Sequence, residues 1–427
     1  MIVAIALVVA LIVTLALTFS KFARSDAWRA TVTPLASIIG SGFLICGPLL
    51  AREFGSAAIL AMATLLAIAY AAGWVIRFNI VHVENHLAKA PFNDPIAWTA
   101  RITQGVLSLA YAVSVAYYLK LLAEFSLKPV TIDPAWQPVA ANVIVTVIIV
   151  LMTLLALGGS LRRVEHLAHG TVSIKIGIIA GLLVALGIAW ASNGITDPLP
   201  PVRLSWASIP MLLGLIITVQ GFETSRYLGH DYPPEMRIRT MRHAQWIASG
   251  IYLAFIALLT PFLSRAAATE GVAGILDIME LIAPAMGIFV LIGAVSSQLS
   301  AAVADSIGSG GLVNEVSRRK ISVPIAFTLA GALAILVVWL TDPFEVVALS
   351  SRAFALFYAM QCVLALLVSI KSGGGDHPTA DWFRRDRPHL PRRRVRRRAG
   401  GGLSHGEDDP APAHVLLKRH GPTAPIW

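Results

Sequence analysis

Apolar runs of about 20 residues recur along the chain, and no other feature constrains its fold as strongly. That is the length at which a helix crosses the hydrocarbon core of a bilayer. Eleven such runs are read, at 1–19, 32–50, 56–76, 102–122, 139–157, 171–191, 209–222, 244–263, 282–304, 323–340 and 344–370. Hydrophobic residues make up 56% of the 427 and charged residues 14%, where a soluble domain has roughly 45–50% and about 25%. A water-soluble fold of this size cannot hide so much apolar surface, so the bilayer is the solvent for most of the chain. The fold class expected is an all-α polytopic membrane protein with about eleven transmembrane helices. Cys46 and Cys362, the two cysteines, both lie in apolar runs, which excludes a disulfide scaffold and a thiolate zinc site.

Charge alternates between the loops. Lys21, Arg24 and Arg29 follow the first run, and Arg77, Lys89 and Arg101 follow the third. Arg162 and Arg163 follow the fifth, Arg226, Arg237, Arg239 and Arg242 the seventh, and Arg318, Arg319 and Lys320 the ninth. The intervening loops carry Arg52, Lys128, Arg203 or Arg265 alone, or nothing. The positive-inside rule then places the N-terminus outside and the C-terminus in the cytoplasm of a cell (inner) membrane protein. The first run has no basic residues before it and no clear cleavage site, so it is read as an uncleaved anchor. From Lys371 onward there are 12 Lys/Arg and 6 Asp/Glu. Residues 372–427 are read as a basic disordered tail that meets anionic lipid, and no nucleic-acid partner is expected.

With residues 1–29 set aside as an extra helix and basic loop, ten runs remain in two sets of five, 30–191 and 208–371. Five is odd, so the second set has the inverted orientation of the first. That is the plan of many secondary transporters, whose discontinuous helices occupy matching positions in the two halves. Ile39-Gly40-Ser41-Gly42 in the first set and Gln220-Gly221-Phe222-Glu223 in the second are the expected interruptions. Glycine inside a span weakens the helix by about 1 kcal/mol relative to alanine. An unwound stretch bares N–H groups that suit a carboxylate and carbonyls that suit a cation or amine. The bland alternative is that these glycines only let helices pack closely.

With these segments in view, the chain resembles the amino acid–polyamine–organocation transporter superfamily, which has a five-plus-five inverted-repeat fold. The resemblance spans the ten-helix core. It rests on Ile38-Ile39-Gly40-Ser41-Gly42-Phe43, on Gln220-Gly221-Phe222-Glu223 with the following Asp231-Tyr232-Pro233, and on the lysine of Val172-Ser173-Ile174-Lys175-Ile176. It implies a small amino acid or related amine as substrate. It also implies that Lys175 takes the place a sodium ion holds in other members; snorkelling to the interface is the plainer alternative. Ser296, Ser297 and Ser300 resemble the sodium-site serines of sodium–solute symporters of the same fold, or else hydrogen-bond between helices. Lysine and sodium compete for one niche, and the lysine is favoured.

Glu223 pairs with freed N–H groups or a lysine, or carries a proton. Tyr111 is read as a substrate contact near mid-depth, and Asp305 as an interface residue at the end of the ninth run. Gly308-Ser309-Gly310-Gly311 is read as a turn. His82-Val83-Glu84-Asn85-His86 lacks the H-E-x-x-H spacing of a zinc site, and no P-loop or nucleophile elbow is found. The function expected is a secondary active transporter working by alternating access and coupled to protons, with no cofactor, metal or enzymatic activity. Sodium coupling is the alternative, and a sensor or scaffold is the alternative of another class.

Overall fold

The computed structural model describes residues 1–372 apart from 41, 92, 159–160, 195–197, 207, 229–231, 270 and 272, and only the backbone of 161–171, 193 and 372. Ser41, Asp231, the tail from 373 and the side chains of Arg162 and Arg163 therefore lie outside the described residues. Every regular element among those described is helical. In order they are α1 (Ile2–Phe19), α2 (Asp26–Ile38), α3 (Gly42–Phe54), α4 (Ala58–Leu87), α5 (Pro95–Leu127), α6 (Gln137–Leu157) and α7 (Leu161–Asn193). Then come α8 (Ser208–Leu213), α9 (Pro234–Leu258), α10 (Leu263–Ala268), α11 (Ile275–Ile282), α12 (Met286–Val316), α13 (Val323–Leu340) and α14 (Pro343–Ser372). Short 3-10 turns at Gly55–Ala57, Ile216–Thr218, Phe222–Leu228 and Thr260–Phe262 join some of them.

Eight helical stretches among the described residues are long and apolar enough to cross a membrane, or nine if the bent pair Pro234–Leu258 and Thr260–Ala268 is one span. The expected eleven counts two interrupted segments that no continuous helix covers. With 13 residues, α2 is too short to cross alone, and so is α8 with 6.

Local chemistry sets several helix ends. Ser25 caps α2, its Oγ accepting from Trp28 N at 3.2 Å. Asp94 caps α5, accepting from the Ile96 and Ala97 amides at 2.8 and 3.3 Å, with Pro95 opening the helix. These caps satisfy backbone donors that the first turn of a helix leaves without partners.

The helix α5 is buried along nearly its whole length and forms the axis of the bundle, with α12, α14 and α13 packed around it. By contrast, only Ala6 and Ala10 of α1 are buried. They seat α1 against α7 at Gly177 and Gly181. A Cβ on Gly177 would lie 2.5 Å from the Ala10 carbonyl, and one on Gly181 would collide with the Ala6 carbonyl. Lipid supplies no hydrophobic drive between helices, so such small-residue seams hold them by close contact.

Several helices run further than the apolar runs, and this corrects three sequence expectations. Gly308 to Gly311 form no turn but lie within α12, which continues to Val316. Asp305 is accordingly buried rather than interfacial. Arg77, expected in a loop, lies inside α4 and is fully buried; its guanidinium donates to Gln245 Oε1 at 2.7 Å and stacks over the Tyr70 ring at 4.8 Å. Lys120 is another buried charge, held by Asn142 Oδ1 at 2.6 Å and by the Val338 and Thr341 carbonyls at 3.1 and 3.0 Å. Hydropathy detects the apolar stretch of a helix, whereas polar residues extend it wherever neighbouring helices satisfy them.

Candidate functional site

Both expected interruptions are present. In the first segment α2 stops at Ile38, Ile39 leaves helical geometry at φ −82° and ψ 51°, and α3 resumes at Gly42. In the second, α8 stops at Leu213. Only 3-10 turns follow, at Ile216–Thr218 and Phe222–Leu228. Gly221 between these turns has φ +116°, a conformation that a residue with a Cβ rarely adopts.

The two interruptions touch each other. A Cβ on Gly42 would strike Thr218, and one on Gly221 would lie 2.6 Å from the Ser37 carbonyl carbon. Each break thus receives the backbone of the other segment where its own side chain is missing.

A broken helix in hydrocarbon must find partners for its freed backbone groups, and here side chains from three other helices supply many of them. Lys175 of α7 donates to the Ala36 carbonyl at 2.9 Å. The Tyr252 hydroxyl of α9 reaches the Ile38 carbonyl at 3.1 Å and hydrogen-bonds the Thr218 carbonyl. Ser351 of α14 accepts from Ile217 N at 3.2 Å and donates to the Gly214 carbonyl at 2.6 Å. Glu223 turns back on its own chain to accept from Gly221 N at 3.0 Å.

Buried polar side chains surround the junction. Gln220 donates to the Tyr118 hydroxyl of α5 at 2.9 Å. Tyr358 of α14 donates to Glu223 Oε2 at 3.0 Å, and its ring stacks on Phe222 at 5.2 Å. Gln220 Oε1 and Glu223 Oε1 are buried without a hydrogen-bond partner among the described residues. Tyr111 of α5 is buried and sits edge-on to Phe354 at 5.9 Å.

A cavity of about 20 Å³ lies beside the first break, lined by Gly40, Phe43, Lys175, Gly293 and Ser297 among others. That is room for about one water molecule or a small ion. The Ser297 hydroxyl is buried there without a hydrogen-bond partner among the described residues. Ser300 does not line this cavity; its hydroxyl donates to the Ser297 carbonyl at 3.0 Å. Ser296 is half-buried and also outside the lining.

Of the residues read from sequence, Ile39, Gly40, Gly42, Gln220, Gly221, Phe222 and Glu223 thus lie at the two breaks, with Tyr111 beside Glu223. Ser41 lies outside the described residues. Sequence reading missed Tyr118, Tyr252, Ser351 and Tyr358. Tyr252 carried a signal, being a lone phenol in an apolar run; Ser351 and Tyr358 sit in a span with no glycine break to draw attention.

Toward the ends where α4 finishes and α9 begins, a charged network ties the second segment down. Arg237 grips Glu84 with two bonds of 3.1 and 2.7 Å and also donates to the Arg226 carbonyl at 2.8 Å. Arg226 donates to Gln361 Oε1 at 3.0 Å, which Asn79 reaches at 2.7 Å. Chemically, the site offers hydrogen-bonding groups enclosed in apolar surroundings, which suits binding a small polar solute.

Comparison with known proteins gives the chain a family. A family model described as an APC superfamily transporter matches residues 20–383. An uncharacterized protein of Aquifex aeolicus (strain VF5) is 34% identical over 356 residues, covering 82% of this chain and 86% of that one. A Na+-coupled sialic acid symporter, solved in a substrate-bound outward-open state, aligns with a TM-score of 0.39 at 17% identity, over 86% of this chain and 82% of that one. Interrupted helices, buried polar backbone and a family match across most of the length converge on one assignment: the chain belongs to the APC superfamily of transporters, and is an integral membrane transporter of small solutes rather than an enzyme.

Proposed function

We propose that the protein is a secondary active transporter that moves an amino acid or related amine by alternating access and couples it to protons. The observation that carries this is the meeting of the two interrupted segments at Gly42–Thr218 and Gly221–Ser37, with their backbone held by side chains of α7, α9 and α14. The solute binds there, against Ile39, Gly40, Ser41 and Gly42 on one side and Gln220, Gly221, Phe222 and Glu223 on the other, with Tyr111 alongside. Each interrupted segment counted as one crossing makes eleven. Residues 30–191 and 208–371 are then the two inverted repeats, α1 stands outside them, the N-terminus faces outward, and the basic tail lies on anionic lipid in the cytoplasm.

Lys175 supplies the positive charge that ties α7 to the first break. Loss and gain of its proton changes the hold on the Ala36 carbonyl and biases the bundle toward one side or the other. Sodium is the second reading, supported by the unpartnered Ser297 hydroxyl in the same small cavity.

Uptake of labelled amino acids and amines into proteoliposomes, under a pH gradient or a sodium gradient, tests both. Proton-driven uptake that Lys175→Met abolishes supports the first reading. Uptake driven by sodium alone supports the second. Failure of every solute under both gradients sinks the transport reading.

A further inference from the structure

Asp305 is buried at the interface of α12 with α5, where it accepts a hydrogen bond from Ser114 Oγ. Neither Asp305 nor the equally buried Glu223 is ion-paired among the described residues; their hydrogen-bond partners are a hydroxyl for the first, and an amide and a phenol for the second. The two acids lie within Coulombic reach of each other, and both lie within reach of Tyr111 and Tyr358. Gly308, about one turn on from Asp305, makes room for the Tyr111 ring: a Cβ there would sit 3.1 Å from Tyr111 Cε2. Glu223 Oε1 is buried, with no hydrogen-bond partner among the described residues.

Two uncompensated carboxylates in a low-dielectric interior are unfavourable on two counts. Each loses its hydration, and each repels the other. A bound proton removes both penalties. The surroundings of Asp305 are also built for two protonation states. The Ser114 hydroxyl has a second acceptor, the Tyr111 carbonyl at 2.9 Å. While Asp305 is ionised, Ser114 donates to it. Once Asp305 carries a proton, Ser114 turns its hydrogen to the Tyr111 carbonyl and accepts from the Asp305 carboxyl.

We propose that Asp305, with Ser114 as its two-position partner, is a proton-binding site separate from Lys175, coupled through charge to Glu223 during the transport cycle. Its place in the cycle rests on the transporter reading above, but the protonation itself does not. In the binding step hydronium gives its proton to a carboxylate oxygen, an O–H bond forms and water leaves; release is the reverse. Among the described residues, other ionisable groups stand on the elements packed against the pair. Tyr118 on α5 bonds Gln220, Arg226 beside Glu223 is engaged with Gln361, and Tyr227 follows on the same turn. Lys175 on α7 holds the Ala36 carbonyl, Asp26 and Arg29 stand at the far start of α2, and α13 has no ionisable side chain.

Infrared difference spectra of the full-length protein in lipid nanodiscs, titrated with acid and with no solute present, test this. The wild type is expected to show a protonated-carboxyl C=O band that Asp305→Asn removes and Ser114→Ala shifts in frequency, while Glu223→Gln changes the pH at which it appears. Spectra of Asp305→Asn identical to wild type would overturn the proposal. Should that variant not fold, a Ser114→Ala protein with every carboxyl band unmoved would do so equally. A protein that shows these bands yet moves no solute refutes the transport reading and leaves the proton site standing.

Discussion

Tyr252 and Thr218 are joined through the phenolic hydroxyl of one and the backbone carbonyl of the other, and the same hydroxyl lies 3.1 Å from the Ile38 carbonyl. One side chain of α9 therefore stands where both interrupted segments expose carbonyl oxygens. Tyr252 is fully buried, so water does not replace it.

Tyr252→Phe keeps the ring and leaves two buried carbonyls without their donor. An unmade buried hydrogen bond costs about 1–3 kcal/mol, so the melting temperature in detergent is expected to fall by several degrees. An unchanged melting temperature would show that the hydroxyl is not what satisfies these carbonyls.

Gly221→Ala places a Cβ on a residue with φ +116° and against Ser37. The backbone strain alone is about 1–3 kcal/mol, and the clash pushes the two segments apart as well. Size-exclusion chromatography is expected to show a smaller monodisperse fraction than wild type. A variant as well behaved as wild type would mean that this contact is not tight.

Two other glycines give opposite expectations for the same substitution. Gly105 on α5 has open space around its Cβ position, whereas Gly181 on α7 backs onto the Ala6 carbonyl. Gly105→Ala is expected to stabilise by about 0.5–1 kcal/mol through helix propensity. Gly181→Ala is expected to loosen α1 and lower the melting temperature. Equal shifts in the two variants would argue against a close α1–α7 seam.

Asp94, at the head of α5, is held down at about 2, chiefly by the Lys371 ammonium 2.5 Å away and further by the Ile96 amide, His86 and the Ala97 amide, against the opposing effect of burial. A depressed carboxyl stabilises fully above its unfolded value of about 3.9 and loses that contribution as pH falls toward 2. Asp94→Asn keeps the helix cap and removes only the charge. Because Lys371 is half exposed, the effect is under about 1 kcal/mol. The variant is expected to melt slightly below wild type at pH 6–7, and the gap to narrow only below about pH 4. A gap constant with pH would show that the ion pair contributes nothing.

Run length and glycine placement are local properties, and they were enough to locate the apolar helices, though not their number or ends, and both breaks, at Ile39–Gly42 and around Gly221. The family resemblance was likewise legible, because its motifs sit at those breaks. Partners were not. Lys175, Tyr252 and Ser351 reach the breaks from helices far along the chain, and their rotation about each helix axis depends on how the bundle packs. Depth was not legible either. Asp305 stands at the end of an apolar run and reads as interfacial, yet α12 continues to Val316 and carries it inside; Arg77 is drawn into α4 in the same way by Gln245 and Tyr70. A lone sequence determines where a chain must enter hydrocarbon, since that depends on summed transfer energies along it. Which polar groups stay there is decided in the folded bundle, where most of those at the breaks are held by a partner from another helix.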